Sequence, residues 1–327
     1  MEGLVELDSL TVYSIVDNET DSLSSQCACC RGFSFVPEMA HLARRKKAID
    51  FDLVCDAAHG LSLLLVAEVD GRQRHCLFDA GPSPQLFREN VEKLCLDLSP
   101  VERVVLSHYH IDHSGGLRAA IPLARPVLVD LYPENSQCRG LRTPGGDVLR
   151  LAPDNPSFDE IENLGGQIVA SKEPHTILGG SFFVSGEIPR TTEYETGLPG
   201  HVTKRGDVWV DDPFILDERY VAAKIKGKGI VVFSACSHAG VVNVCRDARK
   251  LGKIHAVFGG FHLAGKSVED RVEATVKDLK DMGPDLLLPG HCTGWRAKSR
   301  LADAFPSHAF QPAVVGGIYK FSSSDKI

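Results

Sequence analysis

Long hydrophobic runs are missing from this sequence of 327 residues. No stretch approaches the ~18 consecutive apolar residues that a membrane-spanning helix requires. The first residues, MEGLVELDSL, also lack the basic segment and apolar core that mark a secretory signal peptide. These absences argue against a membrane protein and against an exported one, so we expect a cytoplasmic protein with no membrane partner.

An excess of positive charge is missing as well. Lys and Arg together number 36, against 43 Asp and Glu, and the formal net charge is −7. Contacts to a nucleic-acid backbone need clustered positive charge. The charge balance therefore argues against a nucleic-acid partner and leaves a small-molecule substrate as the expected one.

A second pair of closely spaced cysteines is also missing. The ten cysteines of a chain this long, without a secretory signal, are expected to be reduced. Cys27, Cys29 and Cys30 lie together in SSQCACCRG, but a structural zinc site needs four ligands and no further C-x-x-C follows. The surrounding stretch, about residues 19–58, has little periodicity and is interpreted either as a surface insertion or as a cover over a pocket.

Strands and helices alternate along the rest of the chain. Short runs rich in β-branched and apolar residues predict strands, and two pairs of such runs join through turns typical of hairpins. The predicted strands and hairpins lie at 10–18, 60–81, 102–108, 126–132, 219–235, 254–262, 285–291 and 314–321. Apolar residues at helical spacing predict helices at 239–252 and 267–283. This interleaving predicts the α/β class, and because repeats and linkers are lacking we expect a single domain over 1–327.

The chemically informative segment is LSHYHIDHSGGL, which follows an apolar strand. In an extended chain residues two apart point to the same side, so His108 and His110 can hold one ion together. Asp112 and His113 follow in the turn and can face a second ion. Without a metal, each of these polar groups left unpaired would cost roughly 1 to 3 kcal/mol. The cluster therefore predicts a metal site, with Gly115 and Gly116 allowing a sharp, closely packed turn behind it.

The pattern H-x-H-x-D-H resembles that of the metallo-β-lactamase superfamily. HGLSLLLVAEVDGRQRHCLFDAG is similar to its early hairpin. The closing aspartate of that hairpin, here Asp79, supports from behind the loop that carries H-x-H-x-D-H, residues 108–113, which we call the metal loop. LLPGHCTGW resembles the late segment that brings the last histidine ligand, here His291. The resemblance implies a four-layer αβ/βα sandwich of two mixed β-sheets flanked by helices, with metals at one edge between the sheets.

Further segments resemble one branch of this superfamily, which contains the archaeal 7,8-dihydropterin-6-methyl-4-(β-D-ribofuranosyl)aminobenzene-5'-phosphate synthase. These segments are VDNETDSLSS, SGEIPRTTEYE, SACSHAGVVNV, GGFHL and LPGHCTGW. The likeness implies a fold more firmly than a substrate.

Two positions depart from the superfamily pattern. The aspartate that usually bridges two metals is replaced by Cys236, and Glu187 stands where a histidine ligand is usual. An additional histidine, His238, follows Cys236 by two positions and is expected to complete the first site with His108 and His110. Cys236 is either a ligand or a buried packing residue.

Two more histidines have open roles. His262 ends a predicted strand and is either a ligand or a residue that contacts the substrate or the ligands. His59 precedes the early hairpin and either lines the pocket or has a structural role, which is the simpler interpretation. For Glu187 the alternatives are substrate contact and structural pairing.

The resemblance implies an enzyme with two divalent ions. A thiolate ligand favours zinc, whereas Asp and His ligands also suit iron, manganese or magnesium. The implied function is a metal-dependent hydrolase that uses a metal-activated hydroxide on a small ester or phosphoester, with Asp112 orienting the nucleophile. The alternatives are a transferase that displaces pyrophosphate, with Phe261, Trp295 and the 19–58 stretch as candidate pocket walls, and a non-catalytic metal-bound sensor.

Overall fold

The computed structural model describes residues 3–21, 24 and 51–323. The cysteine cluster Cys27, Cys29 and Cys30 and most of the 19–58 stretch lie outside the described residues. The single domain over 1–327 stays a prediction. Within the described part, no helix has the length and the apolar character needed to cross a membrane.

The first large sheet has seven strands. In spatial order they are Ile318–Ser322 (β18), Ser9–Val16 (β2), Ser62–Val69 (β3), Arg72–Phe78 (β4), Val101–Val105 (β5), Val127–Leu131 (β6) and Gly166–Ala170 (β9). Pairing is antiparallel from β18 to β4 and parallel from β4 to β9. The sheet is therefore mixed, and β2, β4 and β5 all end at the same edge.

The second large sheet also has seven strands. Its main path is His175–Ile177 (β10), Phe182–Val184 (β11), Val221–Ile225 (β14), Gly229–Ser234 (β15), Ile254–Gly260 (β16) and Leu286–Gly290 (β17), and Glu6–Leu7 (β1) pairs in parallel with β14. The strands from β15 to β17 are parallel to one another. Their carboxyl ends therefore lie side by side.

The two large sheets face each other across a shared core. On β3, Leu63 and Leu65 enter the core between the sheets, while Leu64 packs on the opposite face. This alternation follows from the two-residue period of a strand, and because both faces of the sheet are covered, both sets of side chains are apolar.

Helices cover the outer faces. Those on the first sheet are Pro84–Lys93, Leu117–Ala124 and Phe158–Asn163, and those on the second are Val241–Ala248, Val272–Met282 and Trp295–Ala304. A short helix, Ile111–Ser114, lies in the loop after β5. Short 3₁₀ turns lie at Phe51–Leu53, Arg249–Leu251, Glu269–Arg271 and His291–Thr293. The predicted four-layer αβ/βα sandwich is confirmed, as are the strands and hairpins predicted from the sequence.

A third, four-stranded sheet was not predicted. Its antiparallel order is Val208–Asp211 (β13), His201–Arg205 (β12), Arg139–Arg142 (β7) and Val148–Arg150 (β8). These strands are three to five residues long and rich in charge, as in HVTKR and RGLR. Their sequences lack a clear apolar alternation, and we refer to them below as the small sheet.

Candidate metal centre

Polar side chains collect where the carboxyl ends of parallel strands meet. His108 and His110 follow β5, Cys236 and His238 follow β15, and His291 follows β17. Side chains from both large sheets thus reach one edge of the sandwich. This is the edge at which open α/β sheets bind their ligands, because the loops after the strands are free to carry polar groups there.

Three imidazoles form the first donor group. His108 Nε2 lies 3.0 Å from His110 Nδ1, and His238 Nε2 lies 3.2 Å from the same nitrogen. All three side chains are buried. Burial is the main cause that lowers the pKa of each well below its usual range, so all three are neutral. Neutral imidazole is the form that binds a metal ion.

Hydrogen bonds on the far side of two of these rings fix which nitrogen carries the proton. Ser107 Oγ donates to Asp79 Oδ2 at 2.7 Å and therefore accepts from His108 Nδ1 at 2.8 Å. His201 donates through Nδ1 to the Asp212 carbonyl oxygen, so its Nε2 accepts from His110 Nε2 at 2.9 Å. The lone pairs of His108 Nε2 and His110 Nδ1 consequently face each other, an arrangement that a cation between them would stabilise.

The second donor group consists of Asp112, His113, Cys236 and His291. Cys236 Sγ lies 3.3 Å from His113 Nε2 and 3.1 Å from His291 Nε2. Asp112 Oδ2 lies 3.5 Å from each of the same two nitrogens. Ligand atoms around a tetrahedral ion at 2.0–2.3 Å would be about 3.3–3.7 Å apart, so these four donors fit a zinc-like ion.

Charge at the second group favours a cation. Burial opposes protonation of His113, but the carboxylates of Asp112 and Asp79 outweigh it and raise its pKa to about 9. Burial raises the pKa of the Cys236 thiol, so its thiolate needs a positive charge beside it. The position between these residues is therefore one where positive charge is stabilised.

The residues behind the second group hold its imidazoles in place. Asp79 Oδ2 accepts from His113 Nδ1 at 2.7 Å, and its Oδ1 accepts from the Ser107 backbone N–H at 2.7 Å. Asn18 Oδ1 accepts from His291 Nδ1 at 2.9 Å. In the neutral form of each ring, which is the form that binds a metal, this bond leaves the Nε2 lone pair directed at the donor group. The structure thus places Asp79 behind the metal loop, as the resemblance implied.

Backbone strain is concentrated at this edge. Of the eight described non-glycine residues with positive φ, four border the two donor groups: Asp79, Ser237, His262 and His291. A non-glycine residue in this region is held there by its surroundings at a cost of order 1–3 kcal/mol, and such residues cluster at functional sites.

Two further donors lie beside Cys236. His262 forms a third candidate group with Cys236 and His238, its ring centroid lies 4.4 Å from that of His238, and its Nδ1 is buried without a hydrogen-bond partner. Cys292 Sγ lies 3.5 Å from Cys236 Sγ. His262 therefore faces the donor groups, a position that suits a ligand as well as a residue that contacts the substrate or the ligands.

The other sequence candidates occupy different places. His59 Nε2 lies 3.4 Å from Asp112 Oδ2, so this histidine reaches the second donor group. Glu187 belongs to none of the donor groups among the described residues: it lines a separate hollow with Arg190 and Phe214. Phe261 is buried in the outer core of the second sheet and is not a pocket wall.

A cleft of about 580 Å³ opens above the donor groups. Its floor includes His110, Asp112, Cys236, His238 and His291. Its walls include Leu141, Leu151, Leu198, Ala264 and Trp295, and the last of these is 68% exposed. No Lys or Arg is among the described residues that line it. The cleft thus combines apolar walls with a floor of metal-binding groups.

Several residues of the centre gave no signal in the sequence. His201 comes from the small sheet, whose strands were not predicted. Glu218 accepts from the backbone N–H groups of His238 and Ala239 at 2.8 and 2.7 Å, and burial raises its pKa to about 7. Asn18 is the last residue of the predicted first strand and follows the observed strand β2, so the rule that ligands gather at strand ends could have found it.

The family model described as metallo-beta-lactamase superfamily matches residues 60–205. Two relatives from Methanocaldococcus jannaschii match over longer stretches. The 7,8-dihydropterin-6-methyl-4-(beta-D-ribofuranosyl)-aminobenzene-5'-phosphate synthase is 29% identical over 272 residues, which are 80% of this chain and 90% of the relative. The uncharacterized protein MJ0448 is 30% identical over 255 residues, which are 75% of this chain and 88% of that protein.

Solved structures share the fold. Tm1679, a metal-dependent hydrolase of the beta-lactamase superfamily, aligns over 97% of this chain and 100% of its own, with a TM-score of 0.67 and 24% identity. YhfI from Bacillus subtilis, a metallo-beta-lactamase fold protein, aligns over 95% of this chain and 99% of its own, with a TM-score of 0.50 and 11% identity. At these identities the likeness concerns the fold alone.

Proposed function

The chain belongs to the metallo-β-lactamase superfamily and is an enzyme, and from this premise we propose that it is a metal-dependent hydrolase of a small ester or phosphoester. The observation that carries the proposal is the pair of adjacent donor groups on the cleft floor. Because the chain is an enzyme, a non-catalytic sensor is not proposed. Hydrolysis and group transfer are the two reactions that experiments must separate.

His108, His110 and His238 would hold one divalent ion, and Asp112, His113, Cys236 and His291 a second. When bound, such ions lower the pKa of water and polarise a carbonyl or phosphoryl oxygen. The sulfur and nitrogen donors of the second group favour zinc over magnesium, which prefers oxygen ligands.

The protein side chains supply orientation and charge. Asp112 is the acidic residue of the donor groups that also lines the cleft, so its carboxylate can accept a proton from the attacking water and fix its direction. Trp295, Leu141 and Leu198 offer apolar surface to the rest of the substrate. Because Lys and Arg are absent from the described lining, an anionic substrate group would be neutralised at the donor groups.

A transferase is the second candidate, and the archaeal synthase relative favours it. In such a reaction the donor groups would hold the cations that neutralise a departing pyrophosphate, while an aromatic partner forms the new bond at the carbon that the pyrophosphate leaves. Apolar walls suit a flat ring as well as they suit an ester. Incubation with an organic diphosphate and an aromatic amine separates the two functions: an adduct supports transfer, whereas pyrophosphate with the free alcohol supports hydrolysis.

We expect Asp112→Asn to lower the turnover of a hydrolysed substrate by about 100-fold or more, because the amide cannot accept the proton of water. The measurement uses a panel of chromogenic aryl esters and phosphodiesters, with metal content determined on the same sample. The amide oxygen can still contact a cation, so at least the first donor group, called the three-histidine group below, should keep its ion.

Asp147→Asn is the matched control, because Asp147 is exposed on the turn between β7 and β8. This variant should hydrolyse the panel at the rate of the unaltered protein. An Asp112→Asn protein that keeps its metal and its full rate would refute the assigned role of Asp112. An unaltered protein that purifies with bound metal and reacts with none of the esters would count against the hydrolase.

A further inference from the structure

We propose that His201 is a positioning residue that holds His110 in the tautomer and ring orientation that metal binding requires. The inference rests on the proposed binding of an ion by the three-histidine group. It makes the small sheet a structural part of that group, although the sheet contributes no ligand of its own.

The hydrogen bonds of His201 determine which nitrogen donates and which accepts between His201 and His110. His201 Nδ1 contacts the backbone carbonyl oxygen of Asp212 at 2.7 Å. A carbonyl oxygen only accepts, so Nδ1 carries the proton and the neutral ring has its lone pair on Nε2. His110 Nε2, at 2.9 Å, must therefore donate to His201. His110 then presents the lone pair of Nδ1 to His108 and His238.

His201 is itself held firmly. Its side chain is buried, and it lies on β12 opposite Leu141 of β7. Thr203 Oγ1 donates to Asp212 Oδ2 at 2.6 Å, which holds the residue that provides the carbonyl oxygen, directly after β13. A ring held on both sides in this way can hold its neighbour, because it has no other orientation that satisfies both bonds.

A second contact ties the small sheet to the same loop. Arg139 of β7 pairs with Asp217, with Nη2 and Oδ1 2.5 Å apart, and Asp217 Oδ2 accepts from the backbone N–H of Tyr109 at 2.8 Å. Tyr109 lies between His108 and His110 in the chain. The small sheet therefore reaches both the backbone and the second imidazole of the loop.

Three of the other donor histidines are oriented by residues outside the small sheet. His108 and His113 are oriented through Ser107 and Asp79, and His291 through Asn18. These partners follow β2, β4 and β5 of the first large sheet. Loss of His201 should accordingly weaken one metal site and spare the other, a selectivity that general destabilisation would not produce.

The test compares His201→Ala and His201→Gln with the unaltered protein. Stepwise zinc affinities are measured by competition with a chromophoric chelator, and the tautomer of His110 is read from long-range ¹H–¹⁵N spectra of metal-free protein. We expect His201→Ala to weaken one of the two zinc association constants by about 10- to 100-fold and to leave the other unchanged. Loss of a residue that hydrogen-bonds a metal ligand has an effect of this size. In His201→Ala the ¹⁵N chemical shifts of His110 should no longer be those of a single tautomer protonated at Nε2.

In His201→Gln the amide oxygen can accept from His110 Nε2, so much of the lost affinity should return. His255→Gln is the matched control: His255 is a buried histidine near the start of β16, at the end of the strand opposite to His262, and its Nδ1 bonds Asp285 Oδ2 at 2.9 Å. It should change neither zinc constant.

The outcomes distinguish this inference from the proposed function. If the unaltered protein binds zinc at no site involving the three histidines, the proposed function fails. If it binds two ions and His201→Ala keeps both constants and the His110 tautomer, the positioning role fails. Equal weakening of both sites, or no recovery in His201→Gln, would show a merely structural role and would also overturn the inference.

Discussion

Cys236 lies where the two sheets bring their donors together. It belongs to the second donor group and also to the third, with His238 and His262. Its sulfur is close to two imidazole nitrogens. Cys292 also contacts His262 and His291, but its sulfur bonds the Cys236 carbonyl oxygen at 3.4 Å and belongs to none of the donor groups among the described residues. The geometry therefore favours Cys236 over Cys292 as the metal-binding thiol.

We expect cobalt-loaded protein to show a thiolate-to-cobalt charge-transfer absorption that Cys236→Ser abolishes, because a serine hydroxyl is not ionised at neutral pH and makes no such transition. Cys292→Ser, the control, replaces a neighbouring buried thiol and should keep the band. The measurement is an ultraviolet spectrum during cobalt titration. A band that survives in Cys236→Ser and is lost in Cys292→Ser would reverse the assignment.

At the scale of elements, the metal loop is pressed against the end of β4. A Cβ at Gly116 would lie 1.9 Å from the Ala80 carbonyl oxygen, and one at Gly115 would lie 2.0 Å from the Pro82 carbonyl oxygen. Their φ values, −72° and −60°, suit any residue. The close packing that the sequence suggested at these two glycines is therefore confirmed, whereas their backbone conformation does not require glycine for the sharp turn.

Gly116→Ala should destabilise the protein by several kcal/mol or prevent folding of the loop, because the contact is with backbone that cannot rotate away. Gly145→Ala is the control, since a Cβ there would meet only Thr143 Oγ1 at 3.8 Å. Urea unfolding followed by circular dichroism, with zinc binding measured in parallel, tests this. Equal stability of the two variants would refute the close-approach argument.

At the scale of the whole molecule, the centre joins the two halves of the sandwich. A buried ion pair lies behind it: Arg219 Nη1 is 2.9 Å from Asp130 Oδ1, and Arg219 Nη2 donates to the Leu106 carbonyl oxygen at 2.8 Å. This links the start of β14 with the ends of β5 and β6. The donor groups therefore require both sheets in their docked arrangement, because each sheet contributes donors.

The stability of metal-free protein should fall as pH drops below about 6.5. Burial lowers the pKa of His108, His110 and His238 in the folded state, so below the unfolded value the unfolded chain binds protons that the folded chain does not. Each histidine contributes up to about 1.4 kcal/mol per pH unit. His113 acts oppositely: its contribution is complete below pH 6.5 and is lost as pH rises through about 9.

Urea unfolding at pH 7 and at pH 5.5 in the presence of a chelator measures this slope. His238→Gln removes one of the three groups and should make the slope shallower by about one histidine's share. Zinc should stabilise the protein more at pH 7 than at pH 5.5, because its ligands must be unprotonated. A slope that is the same with and without His238 would contradict the argument.

The sequence by itself determined the large sheets and the first-loop donors. His108, His110, Asp112 and His113 are near neighbours in the chain, and β-branched runs such as IVVFSA form strands whose neighbours bury both faces. Cys236, His238 and His291 also lie after predicted strands, and local pattern together with resemblance placed them in one centre.

The tertiary structure alone decided how the donors are grouped and oriented. His201 belongs to a short polar strand without apolar periodicity, and its contact with His110 joins residues 91 positions apart. Glu187 belongs to none of the donor groups among the described residues and lines another hollow. Such contacts depend on how separate elements dock, and docking is set by packing between distant segments, which local residue patterns do not encode.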